Sequence, residues 1–155
     1  MANWKNIQKL YDYLGEIPKS KFDMGSWFSI KKISSRLQKK YHIPGEGTAL
    51  PLSVVRKNGP VCRTAGCLAG SAVVLLGKVN ERINWITVED RGRALLGLTN
   101  IEQYHMFQGK WSPKVYAQDE NNPNYNYDAL ENITKTEARK YLKKVLAEKN
   151  VMVTL

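Results

Sequence analysis

A chain of 155 residues, 43% hydrophobic and 25% charged, is long enough to bury a real core and ordinary enough in composition to fold. No apolar run approaches the roughly 18 residues of a membrane span. The opening Met-Ala-Asn-Trp-Lys-Asn also lacks the apolar stretch of a secretory signal, so the expectation is one soluble intracellular domain with no membrane contact. The formal charge of +10 favours an anionic partner. The plainer alternative is a basic protein whose charge serves only solubility.

Residues 3–14 predict a first helix, with Trp4, Ile7, Tyr11 and Leu14 on one face and Leu10 beside them. Gly15 and Pro18 are the expected stop. Phe22, Met24 and Trp27 then read as anchors that pin a turn to the core, with Asp23 and Ser26 as capping residues; in the functional alternative, Asp23 and Trp27 line a pocket. Residues 29–41 predict a second helix. Its apolar stripe is Ile30, Ile33, Leu37 and Tyr41, and its opposite side carries Lys32, Arg36 and Lys39 with Lys40 near them. That face holds no acid, which suits either phosphate contact or plain solvation.

Residues 42–61 are punctuated by Pro44, Gly45, Gly47, Pro51, Gly59 and Pro60. Within them, residues 52–56 are β-branched enough for a strand or hairpin arm. Between Met24 and Val79 the only acid is Glu46, set against Lys31, Lys32, Arg36, Lys39, Lys40, Arg56, Lys57, Arg63 and Lys78. The positive charge is therefore concentrated in this part of the chain. Of these cations, Lys31, Lys32, Arg36, Lys39, Lys40, Arg56, Lys57 and Arg63 are the candidate contacts for an anionic partner.

The stretch from Thr64 to Leu76 carries no charged side chain, so a helix built from it would be apolar or small on every face. It predicts a helix buried on all sides, capped by Thr64 and ended by Gly77, with Cys67 in its first turn. Gly66, Gly70, Ala65, Ala69 and Ala72 leave faces nearly bare of side chains, where other helices can approach closely. Beyond it, residues 83–87 read as a short strand against residues 53–56. Thr87 followed by Glu89 and Asp90 opens another helix, which ends at Gly97. Leu98 staples the entry to a short helix that begins with the Thr99-x-x-Glu102 capping box, runs through Ile101, Tyr104 and Phe107, and stops at Gly109.

Residues 110–127 read as a polar loop studded with Trp111, Pro113, Tyr116, Tyr125 and Tyr127. As a recognition loop it would offer Trp111, Tyr116 and Tyr125 to a partner; the alternative is a loop held down by its own aromatics. The last helix opens at the Thr134-x-x-Glu137 capping box and repeats Ala138, Tyr141, Leu142, Val145 and Leu146 at helical spacing. Lys135, Arg139, Lys140, Lys143 and Lys144 line its expected outer side. Residues 151–155 have β character and are expected to dock as an edge strand.

Signals for chemistry are sparse. Cys62 precedes the buried helix and has Arg63 beside it, which would lower a thiol pKa. A base could come only from His42 or His105, neither in a recognisable pattern. Cys62, Cys67, His42 and His105 would all have to converge to hold zinc. Gly66-x-x-x-Gly70 is a packing motif, not a phosphate loop. Neither a metal nor a cofactor is expected.

Phe22-x-Met24-x-x-Trp27, Cys62-x-Thr64-x-x-Cys67-x-x-Gly70-x-Ala72 and Leu96–Gly97–Leu98–Thr99 with Phe107 and Trp111 together resemble a group of short uncharacterised proteins of phages and bacteria. The usual form there is F-x-M-x-x-W, C-G-T-x-x-C-x-x-G-x-A and L-G-L-T followed by Phe and Trp. Arg63 stands where that group has glycine, and the segment between Trp27 and Cys62 is long and basic. The resemblance implies a shared fold and a phage-like origin, and no reaction. The expected architecture is mainly α, with α+β possible: one helical domain around a central buried helix, with a small two- or three-stranded sheet. The expected function is non-enzymatic, with a basic surface holding nucleic acid or a nucleic-acid-handling host protein. The alternatives are a host-protein inhibitor acting by protein contact alone and a cysteine-dependent enzyme built on Cys62.

Overall fold

The computed structural model describes residues 1–19, 22, 24, 39, 50–57, 67–79, 81–83, 87–116 and 129–153. Among them the fold is mostly helical. The elements in chain order are α1 (Trp4–Glu16), β1 (Leu50–Pro51), α2 (Leu52–Lys57), α3 (Leu68–Leu76), β2 (Arg82–Ile83), α4 (Val88–Leu96), α5 (Asn100–Phe107), α6 (Pro113–Tyr116) and α7 (Lys135–Glu148).

The charge-free stretch forms α3, and Leu68 through Val73 are buried one after another. Unbroken burial over nearly two turns needs neighbours on every side, which only a sequence without charges tolerates. Val74, Leu75 and Leu76 emerge partway toward the surface. The helix begins later than the sequence suggested. Cys67 is its N-cap, one residue outside the first turn, and its Sγ accepts the Gly70 N–H at 3.4 Å. Gly77 ends it in extended backbone, φ −65° and ψ 160°, which any residue adopts. Glycine is needed there for space: a Cβ would lie 2.4 Å from Leu52 Cδ1 and 2.8 Å from the Val73 carbonyl oxygen.

Helix α4 packs most extensively on α3, and Gly92 explains how. A Cβ on Gly92 would stand 3.2 Å from both the Cα and the carbonyl oxygen of Ala69, and 3.2 Å from Phe107. Glycine on one helix faces alanine on the other, so the two backbones come nearly into contact. Thr87 holds the N-cap position of α4 without a side-chain capping bond, and Gly97 ends the helix in the left-handed region at φ 65°. That conformation carries little cost only for glycine. Leu98 is buried, and Thr99 and Glu102 close the expected capping box at the start of α5. In α5 Met106 and Phe107 are buried, whereas Ile101 and Tyr104 are 69% and 51% exposed.

Helix α1 buries Ile7, Leu10 and Leu14, with Trp4 and Tyr11 half-buried at its flank. Its N-terminus also serves α4. The Asn3 N–H donates to Leu96 O and the Asn6 side-chain amide to Leu95 O, both at 2.7 Å, so two carbonyls left over at the end of α4 are satisfied. The α7 helix runs antiparallel against α1: Lys149 lies over Trp4, Arg139 over Tyr11, and Lys135 donates to Ile17 O. Its capping box forms as predicted, and Ala138, Tyr141, Leu142 and Val145 are buried. Two of the five cations expected on its outer side, Lys135 and Arg139, instead lie half-buried along this seam.

Two segments expected to be extended are not. Residues 52–56 are helical, because Leu52 is wholly buried and Arg56 is held by hydrogen bonds to the end of α3. Those tertiary contacts outweigh the β preference of Val54 and Val55. Residues 151–152 form a turn rather than an edge strand, with Val151 and Val153 buried. Pairing between described strands amounts to two residues a side, Leu50 opposite Ile83 and Pro51 opposite Arg82, which is no sheet layer.

Candidate functional site

Of the eight cations expected to form a basic surface, Lys31, Lys32, Arg36, Lys40 and Arg63 lie outside the described residues. Lys39 is helical and exposed. Lys57 closes α2. Arg56 points inward. Its Nε donates to Val74 O at 2.7 Å and its Nη2 donates to Gly77 O at 2.7 Å and Leu75 O at 3.4 Å. It is therefore a C-terminal cap supplied from a distance, not a contact offered to solvent. A sequence signal for this exists: α3 has no basic residue in its last turn, so its orphan carbonyls need a donor from elsewhere. The same guanidinium lies near Tyr13, whose phenol is pushed above its ordinary pKa by burial, against the opposing pull of Arg56.

Other cations are also engaged. Arg91 pairs with Glu81, and Arg93 lies 3.7 Å from Asp90. Lys114 donates to Asn132 O at 2.6 Å and pairs with Glu137 at 2.9 Å, which ties α6 to the cap of α7. For Glu81, burial would raise the carboxyl pKa, but hydrogen bonds from Arg91 and the Lys78 N–H, with the charges of both residues, bring it below the usual range. Glu137 follows the same pattern: burial is outweighed by Lys114 and the Thr134 cap. Two exposed cations that were not among the eight, Lys78 and Arg82, flank Glu81 at the corner where β2 meets β1.

The aromatic set divides differently. Trp111 is 1% exposed, stacks on Tyr141 at 4.5 Å between ring centroids and 7° between planes, and donates its Nε1–H to Met106 O at 3.0 Å. It is a core residue and cannot anchor a partner. Gly109, left-handed at φ 65°, turns the chain back after α5, and Trp111 follows two residues later. The Tyr116 backbone closes α6, and Tyr125 lies outside the described residues. Tyr141 donates its hydroxyl proton to the Val151 carbonyl, and His105 packs at 6.2 Å from the Tyr141 ring. Burial holds the His105 pKa below its ordinary value, against a hydrogen bond to the Val151 backbone that favours the proton.

For chemistry, Cys62 and His42 lie outside the described residues. Cys67 is a buried thiol that caps α3. Glu89 is a half-buried carboxylate that accepts from Gln103 Nε2 at 3.0 Å and Gln108 Nε2 at 2.8 Å. Its pKa is raised, first by burial, while the two glutamine amides oppose the rise. With one amide donor on each oxygen, it acts as a bracket between α4 and α5. Among the described residues no group of three or more His, Cys, Asp or Glu side chains is placed to hold a metal ion. No helix among them is long and apolar enough to cross a membrane. Compared with known proteins, the chain matches no family model, no curated sequence and no solved structure.

Proposed function

We propose that this protein is a non-enzymatic accessory binding protein, phage-like in origin, whose basic surface holds nucleic acid or a nucleic-acid-handling host protein. The observation that carries the reading is the charge: +10 overall, with Glu46 the only acid between Met24 and Val79. Lysine and arginine neutralise phosphates and release counterions, so such a surface binds through charge first and sequence second. Lys31, Lys32, Arg36, Lys39, Lys40, Lys57 and Arg63 are its proposed contacts. Arg56 leaves the set because its guanidinium caps α3.

Titrating duplex DNA, single-stranded DNA and RNA across a salt series tests the nucleic-acid version. Affinity should fall steeply as salt rises, and Lys32→Glu, Arg36→Glu and Lys39→Glu together should abolish binding while the protein still melts cooperatively. Intact binding in that triple variant would mean that the contacts lie elsewhere. A host protein retained after nuclease treatment, in constant ratio to this chain, would favour the second form of the partner.

A further inference from the structure

We infer that the anion-binding surface, if the reading above holds, continues across the corner made by Lys78 and Arg82, and that its ligand there is the phosphate backbone of a nucleic acid. Leu50 and Pro51 pair with Ile83 and Arg82, the Leu52 N–H donates to Glu81 O at 2.8 Å, and the Ser53 N–H to Val79 O at 3.0 Å. These bonds fix Val79, Glu81, Arg82 and Ile83 alongside the start of α2. The corner therefore adjoins α2, the helix that Lys57 closes, although α3 separates the two in sequence.

Charge at the corner is positive. Lys78, Val79 and Arg82 are exposed. The acid among them, Glu81, also feels Lys78, but it is matched by Arg91, which pairs with it and donates from Nη2 at 3.1 Å. Lys78 and Arg82 then remain as the net outward charge. Arg56, the neighbouring cation on α2, is turned inward to the α3 carbonyls and cannot supply it. Among the described residues between the two cations the exposed side chain is Val79, not an aromatic that would fill a protein partner's pocket. Charge without an anchor suits a backbone of repeated phosphates better than a protein interface.

The test compares Lys78→Gln/Arg82→Gln with Lys140→Gln/Lys143→Gln, a pair on the exposed side of α7 that removes the same charge. The probe is a 20-base-pair DNA duplex, with single-stranded DNA and RNA of equal length, titrated from low to high salt. Losing two phosphate contacts should weaken duplex binding about tenfold or more near 0.1 M salt and reduce the slope of log affinity against log salt by about 2. The α7 pair should change both by much less, and all variants should melt like the parent. A parent that binds and a corner variant indistinguishable from it would overturn this inference alone. So would equal losses in the two pairs, which would make net charge the cause. A parent that binds no nucleic acid at any salt overturns this inference together with the nucleic-acid form of the reading it rests on.

Discussion

The closeness of α3 and α4 makes Gly92 the most informative position for mutation. A methyl group there would meet the Cα and carbonyl oxygen of Ala69 at 3.2 Å, along with the Phe107 ring at 3.2 Å. Two of those three atoms belong to backbone in the wholly buried part of α3, Leu68 to Val73, so they cannot swing aside as the tip of a long side chain can. Overpacking of this kind costs about 1–3 kcal/mol. Alanine in place of glycine inside a helix recovers about 1 kcal/mol of propensity. Gly92→Ala should therefore lose about 0–2 kcal/mol. Gly92→Val, which adds two more methyls to the same contact and recovers less propensity, should lose more than about 3 kcal/mol, again by overpacking. At about 2–4 °C per kcal/mol for a chain of this size, the valine variant should melt at least about 6 °C lower. Urea unfolding followed by circular dichroism measures both variants, with Ala94→Gly on the exposed side of α4 as a propensity control worth about 1 kcal/mol. If Gly92→Ala raised stability by about 1 kcal/mol and Gly92→Val were tolerated, the two backbones would not be in contact and the account of the core would be wrong.

Replacing Arg56 by Met should cost about 2–3 kcal/mol, because carbonyls at the end of α3 lose a charged donor; a normal melting curve with weakened nucleic-acid binding would instead return Arg56 to the surface set. Trp111→Ala should cost about 3–5 kcal/mol in urea unfolding, as the loss of a stacked and hydrogen-bonded core aromatic; little change would mean that Trp111 is not part of the core. Tyr141→Phe should cost about 1–2 kcal/mol by removing the hydroxyl donor to Val151, and hydrogen exchange at residues 151–153 should quicken. Stability should also fall with pH in stages. His105 has a folded pKa below 6.5, so the unfolded chain takes the proton first and stability drops as pH falls through 6.5, levelling off below the folded value. Glu81 and Glu137, held below 4.5 when folded, add a second loss beneath that pH, while Glu89, held above 4.5, takes its proton first in the folded state and works in the opposite direction. Urea titrations from pH 8 to pH 3.5 should show the first stage vanish in His105→Gln; its persistence there would assign that stage to another group.

The helical skeleton was legible because its signals are local. Two Thr-x-x-Glu capping boxes, the glycine stop at Gly97 and the charge-free run of α3 each state a backbone conformation within a few residues. The misread positions depend on distant partners. Residues 52–56 have strand propensity, and the burial of Leu52 with the contact between Arg56 and the end of α3 explains why they are helical. Trp111 sits in a polar stretch, and only the turn at Gly109 and the Tyr141 ring show that it belongs to the core. Cations are ambiguous in the same way. Arg139 and Lys140 are neighbours in sequence, yet one lies over Tyr11 on the α1 seam and the other faces outward. Composition counts both equally, so net charge foretells a preference for anions without saying which lysines and arginines express it.

The pairing of α1 with α7 bears on how the chain is made. Ile17 and Lys135 meet although they are 118 residues apart, and Ile7, Leu10 and Leu14 lie on the helix that α7 covers. On a ribosome adding roughly 5–20 residues per second, that separation corresponds to a wait on the order of 6–24 s before the second helix emerges. Throughout that interval the apolar stripe of α1 has no α7 beside it. Nascent chains should therefore engage chaperones through their earliest segment, and premature termination anywhere before α7 should yield a product that aggregates.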